Sequence, residues 1–346
     1  MRDDREGTAT RRLPHQRWIC RAHESPEYER GYAGRASVSL PYPRLPLSRQ
    51  RSGFLAGLAA YLLWGLFPLY WPLLEPAGAV EILAHRILWS VVLLVAVLAF
   101  TDGFRWAREL ERKKLALLAL AAALITVNWG VFIYGVNSGH VVETSLGYFI
   151  NPLVTVALAV LVIGERLRRA QWAAVAIAAV AVVVLTVAYG RPPFIALTLA
   201  FSFGFYGLVK KQVGIGGTQS VAIETAFLFT PALLCVIWFA GSGEGTFAHE
   251  GAGHALLMAG GGIVTAIPLM LFGTAAVRIP LTTIGLLQYL APIMQFGIGV
   301  GIRGEEMPTA RWIGFGLVWV AVIVFTADSV RARARLAPAR ALAAKQ

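Results

Sequence analysis

The sequence predicts an all-α integral membrane protein with ten transmembrane helices, arranged as two inverted five-helix repeats. Three observations predict it. Of the 346 residues, 57% are hydrophobic and only 14% charged, with mean hydropathy +0.64, whereas a soluble domain carries roughly 25% charge. Apolar runs of about 17 to 24 residues recur along the chain, the length that crosses roughly 30 Å of hydrocarbon. Finally, one pattern returns at a fixed offset of 140: Pro152 with Pro292, Gly164-Glu165 with Gly304-Glu305, and Trp172 with Trp312.

Taken in order, residues 1–52 are polar, Arg-rich and Pro-containing, without apolar periodicity or the apolar core of a secretory signal. They read as a disordered basic tail, or as sequence ahead of a later true start. The spans follow at 54–74, 79–100, 115–136, 141–163 and 170–189, making a first repeat over 53–189. Those at 192–209, 219–240, 255–277, 281–302 and 311–327 make a second over 190–328, and a basic tail closes the chain at 329–346. Trp71, Trp172, Trp238 and Trp312 fall near span ends, where an amphipathic ring prefers the headgroup level. Cys20 and Cys235 offer neither a disulfide framework nor metal-ligand spacing.

The net charge of +12 would suit nucleic acid, but the placement of the charge does not. Within 54–328, fourteen basic residues lie in the connections and one, Arg86, lies inside a span. With the N-terminus inside, Arg105, Arg108, Arg112, Lys113, Lys114, Arg166, Arg168, Arg169, Lys210, Lys211 and Arg278 face the cytoplasm. Only Arg191, Arg303 and Arg311 face outward, so both termini are cytoplasmic. Because five spans is an odd number, the second copy enters the bilayer upside down. Such a pair frames a mid-membrane site that each face can reach in turn.

Several stretches are recognisable in this order: Ala60-Tyr61 with Trp64-Gly65, 81–86 (EILAHR), 147–153 (GYFINPL), Gly164-Glu165-Arg166, 200–211 (AFSFGFYGLVKK), Ile223-Glu224-Thr225 and Gln288-Tyr289. Over about residues 53–328 the chain resembles the RarD subgroup of the EamA branch of the drug/metabolite transporter superfamily. The resemblance implies a multi-pass permease of the inner (plasma) membrane, often labelled a chloramphenicol-sensitivity protein, whose physiological solute is poorly defined. No Walker-type Gly-Lys-Ser/Thr loop, Ser/His/Asp set, metal cluster or nucleotide fingerprint is evident. The expectation is therefore a secondary transporter rather than an enzyme, with no cofactor. Its partners are a small organic solute and the lipid bilayer, not nucleic acid, and a homodimer is left open. The alternative is an intramembrane enzyme acting on a lipid-linked group, which would also use buried Arg and Glu.

Charges inside spans cost about 2.5 to 3.5 kcal/mol on insertion scales, so each needs a reason. Arg86 lies roughly 9 Å below the outer surface at 1.5 Å per residue. It is read either as a substrate-facing or gating cation or as a structural one, with Glu143 at similar depth as a plausible partner. His85 points about 100° away and reads as packed or interfacial, and Glu81 as solvated near the surface. Glu224 enters from the inner side. Unpaired, it would exchange the coupling proton; paired with Lys210 or Lys211, it would be structural. Pro152 and Pro292 predict helix kinks that free backbone carbonyls. Tyr148 and Gln288 stand four residues before those prolines and, with Asn151 and Tyr289, are candidates for the solute cavity. Asn128 and Gln295 read as inter-helix hydrogen bonders, and Gly297 with Gly301 as a face for close packing.

Overall fold

The computed structural model describes residues 47–100, 110–163, 167–213, 217–247, 249–276, 278–279 and 281–343. Most of the expected tail, and the Gly164-Glu165-Arg166 turn, lie outside these residues. Every element described is helical. In order they are α1 (Leu47–Gly65), α2 (Phe67–Tyr70) running into a 3-10 turn (Trp71–Leu74), α3 (Ala79–Phe100), α4 (Arg112–Asn137), α5 (Val141–Leu158) ending in a π-turn (Ala159–Ile163), and α6 (Arg169–Tyr189). Then come α7 (Phe194–Val213), α8 (Gly217–Ser242), α9 (Gly251–Ala276), α10 (Leu281–Leu287), α11 (Leu290–Gly301) and α12 (Thr309–Ala343).

Among the described residues, eight helices are long and apolar enough to cross a membrane, or nine if the α1–α2 pair, bent by 41°, is one span. Pro68 and Pro72 remove the amides that would have carried α1 straight on, and the chain turns and tightens there. The remaining expected span, 192–209, corresponds to α7, whose apolar part, Phe194–Lys210, is shorter than the rest. α6 stops at Gly190, whose φ of 67° costs a residue without Cβ little. The two prolines expected to act alike do not. α5 continues as an α-helix through Pro152 to Leu158, whereas the second-half helix breaks at Gln288–Tyr289, just before Pro292.

The helices pack in a definite set of pairs. α3 lies against α8, α5 against α11, and α6 against α12. α7 packs on α4 and α5, α1 packs on α9 and α11, α9 on α3, and α8 on α4. Close approach uses glycines other than those expected. A Cβ on Gly147 would sit 2.8 Å from the Ala196 carbonyl oxygen, and one on Gly299 would sit 2.8 Å from Val142 Cγ2; Gly297 and Gly301 face open space. Gly147 therefore sets the α5–α7 distance, and Gly299 sets the distance from α11 to α5.

The outward faces of the helices carry exposed apolar side chains such as Leu161, Val183, Val187, Leu256 and Ile323. Trp172, Trp238 and Trp312 are exposed as expected of rim residues. Trp71 is not. The bend after α1 turns it inward, and it is completely buried.

Candidate functional site

Arg86 sits two turns into α3 and is 3% exposed. Its Nε donates to Thr265 Oγ1 on α9 at 2.6 Å, and that hydroxyl in turn donates to the Gly261 carbonyl at 2.8 Å. One edge of the guanidinium is thus tethered. Its central carbon lies 4.0 Å from the ring centre of Trp129, 5.2 Å from that of Trp71 and 5.8 Å from that of Phe67. Each such face stabilises a desolvated cation by on the order of 0.5 to 2 kcal/mol. Trp71 and Phe67 belong to a buried cluster with Phe132, Ile133 and Leu199, against which Tyr148 packs. Tyr148 donates to Asn128 Oδ1 at 3.2 Å, and Asn128 Nδ2 donates to the Leu199 carbonyl at 2.9 Å and to Ser202 Oγ at 3.0 Å. A polar chain from α5 through α4 to α7 therefore borders the aromatic cluster around Arg86.

The expected Arg86–Glu143 pair does not form. Glu143, 1% exposed, accepts from Arg191 Nη2 at 3.1 Å and from the Ile195 amide at 2.9 Å. Arg191 follows the Gly190 stop of α6, and the start of α7 there presents an amide with no intrahelical partner; a carboxylate satisfies both. Glu81 follows the same pattern. It is buried rather than solvated, and accepts from the amides of Thr246 at 2.7 Å and Phe247 at 3.3 Å. Glu305 repeats it a third time, accepting from Val141 and, at 3.0 Å, from Val142, the two amides that open α5. All three belong to one rim of the molecule, the rim of the 75–78, 138–140, 190–193, 243–250 and 302–308 connections. Two further bonds tie the same region together: Tyr70 donates to the Leu257 carbonyl, and His254 Nε2 meets the Leu74 carbonyl at 3.0 Å. A cavity of about 280 Å³ opens there, lined by His140, Glu143, Tyr189, Arg191, Glu305 and Arg311 among others. Burial pushes the Glu305 carboxyl up from its ordinary 4.5, against the two amides, His140 and Arg311, which pull it down.

At the opposite rim Glu224 is not the unpaired acid that proton exchange would need. It accepts from Lys210 Nζ at 2.6 Å, Ser220 Oγ at 2.6 Å and Tyr206 OH at 3.0 Å. Arg168 Nε donates to Asp328 at 2.6 Å, and Arg278 Nη1 to Ser52 Oγ at 3.0 Å. His85 turns away from Arg86 and stacks on Phe247, centroids 4.4 Å apart. Asn151 is buried and accepts from Thr155 at 3.3 Å, within its own helix. Gln288 and Tyr289 occupy the α10–α11 break, and Tyr289 packs on a separate cluster with Val142, Leu146 and Phe149. Tyr148 and Tyr289 thus pack on different clusters.

Phe67, Trp129 and Thr265 look like ordinary span residues until the helices are packed. In sequence Arg191 is only a residue of an outward-facing connection, and Glu305 only part of a turn. The Gly-Glu pair at 304–305 was the one available signal.

The fold is that of a multi-pass membrane protein. The EamA-like transporter family model matches residues 51–187. The chain is 58% identical over 295 residues to the protein RarD of Streptomyces exfoliatus, covering 84% of this chain and 94% of that one. It is 38% identical to an uncharacterized transporter of Vibrio cholerae, covering 82% and 94%. A crystal structure at 18% identity covers 80% of this chain and 97% of its own with TM-score 0.51, a likeness of fold. The chain belongs to the RarD subgroup of the EamA-like transporters.

Proposed function

We propose that this chain is a secondary transporter of the inner membrane that moves a small organic solute by alternating access between two inverted five-helix halves. The observation that carries the reading is the pairing of the helices. Let each of the five spans of the first half exchange with its counterpart in the second: α1–α2 with α7, α3 with α8, α4 with α9, α5 with α10–α11, and α6 with α12. The packed pairs then map onto one another. α4–α7 becomes α9–α1, α5–α7 becomes α11–α1, and α3–α9 becomes α8–α4, while α3–α8, α5–α11 and α6–α12 map onto themselves. Duplicated halves of opposite hand in the bilayer are built to exchange conformations about a shared central site.

By the count of basic residues the glutamate rim faces outward. Glu81, Glu143 and Glu305 each bond backbone amides across the boundary between the halves. The conformation is therefore closed to the outside, with Arg86, Tyr148 and Asn128 beneath. Glu224 with Lys210 serves the inner rim in the same way, and a coupling proton is better sought at Glu305. Counterflow into reconstituted vesicles, with a panel of metabolites and amphenicols and with or without a pH gradient, tests the reading. Saturable, solute-specific flux supports it; its absence across the panel in correctly inserted protein counts against it.

A pH dependence follows with a definite sign. The closed rim raises the Glu305 pKa and an open, hydrated rim leaves it near 4.5. Closure is thus favoured at low pH and weakened as pH rises through the raised value. The labelling rate of a cysteine at Val142, buried beneath Glu305, divided by that of a fully exposed cysteine at the same pH to remove the thiolate dependence, should be low at acid pH and rise toward neutral pH. In Glu305→Gln this ratio should stay low at every pH. Replacing His140, which also faces Glu305, checks that the response belongs to the carboxyl.

A further inference from the structure

We infer that the transported solute carries an anionic group, of carboxylate size and charge, and that Arg86 receives it inside its aromatic box. The inference rests on the transporter reading above and adds the class of the solute. Its first ground is elimination. A buried guanidinium stays charged at any relevant pH and calls for a counter-charge. The buried acids among the described residues are all committed elsewhere: Glu81 to Thr246 and Phe247, Glu143 to Arg191 and Ile195, and Glu224 to Lys210. Glu305, partly buried, is committed to the start of α5. Among the described residues no carboxylate pairs with Arg86.

The second ground is the set of donors left over. Thr265 holds only the Nε edge of the guanidinium. Arg86 Nη1 has no acceptor among the described residues, and neither has Trp71 Nε1, whose ring lies against the same guanidinium. Two buried donors without acceptors in one cluster are costly, because each forfeits its hydration. A carboxylate offers two acceptor oxygens and the missing charge, in the geometry a guanidinium fork prefers. The third ground is the lining. Trp129, Trp71 and Phe67 present aromatic faces around the charge, so a flat or apolar body beside the anionic group would be buried as the group is received. The arrangement suits a small aromatic or apolar monocarboxylate better than an inorganic anion.

The test uses the full chain in lipid nanodiscs, with benzoate as probe and benzamide and chloride as controls. Trp71 and Trp129 flank the site, so binding is read from tryptophan emission. Benzoate is expected to change the emission saturably, with benzamide and chloride at least tenfold weaker. Arg86→Gln should remove the response, and Thr265→Val, which only frees the tethered edge, should raise the half-saturation severalfold. Equal responses to benzoate and benzamide, no saturable response to benzoate, or an undiminished response in Arg86→Gln would each overturn the assignment. Counterflow across the solute panel is independent of the probe. If it is saturable and solute-specific while benzoate fails, the anion assignment falls and the transporter reading stands.

Discussion

Replacing Arg86 with methionine is expected to abolish transport while leaving the protein inserted and no less stable. The two halves of that expectation come from the same geometry. A cation bonded to a carboxylate would leave a buried, uncompensated charge behind when removed, at a cost of about 3 to 5 kcal/mol. Among the described residues Arg86 has no such partner, and an apolar side chain of similar volume relieves its desolvation while giving up the cation–π contacts and the Thr265 bond. These terms are each on the order of 1 kcal/mol and offset one another. Stability should therefore stay level or rise. Transport needs the charge in place, so flux in reconstituted vesicles should fall to background. Arg86→Lys keeps the charge but loses the fork and should retain no more than about a tenth of the flux. Full flux in Arg86→Met would remove Arg86 from the mechanism, and a loss of several kcal/mol would reveal a structural partner.

Removing the Glu143 carboxylate should do the opposite, costing about 3 kcal/mol of stability. Arg191 is 41% exposed at the side chain, so its share of the pair is screened and Arg191→Ala alone should cost under about 1 kcal/mol. Most of the Glu143→Ala effect comes from the Ile195 amide, which would be left buried without an acceptor. Glu143→Gln keeps an acceptor there and should recover more than half of the loss. In a double-mutant cycle Glu143 and Arg86 should add within about 0.5 kcal/mol, since no bond joins them. Coupling well above that, in thermal unfolding in detergent, would restore the pair that sequence position suggests.

That suggestion shows where sequence reasoning stops. Apolar runs and basic connections place spans because hydropathy is a property of each segment alone, and the expected spans fall on helices, although α7 is short, the first span bends after α1 and the span at 281–302 breaks at Gln288–Tyr289. The resemblance to the RarD subgroup was legible too, because its long blocks lie in order. Residue counting along a helix assigns a depth, and it puts Arg86 and Glu143 at one level. Azimuth was not. Which residues meet depends on how each helix is turned against its neighbours, and that is set by contacts such as Gly147 on Ala196 and Gly299 on Val142. Glu143 therefore faces α7, and Arg86 faces α9 and the ring of Trp129. Trp71 reads as an interfacial residue until the turn at Pro72 carries it inward. Glu305 was visible only as half of a repeated Gly-Glu pair, since an amide at the start of a distant helix leaves no trace in sequence.

The proposed mechanism requires two halves of opposite orientation that face each other across the bilayer. Paired topology reporters fused after Arg169 and after Arg303, in otherwise intact chains, test it most directly, because Arg169 follows the first Gly-Glu turn and Arg303 immediately precedes the second. Inverted halves require opposite readings, with Arg169 cytoplasmic and Arg303 outside. The same reading at both positions would contradict the inverted repeat, and with it alternating access by exchange of the two halves.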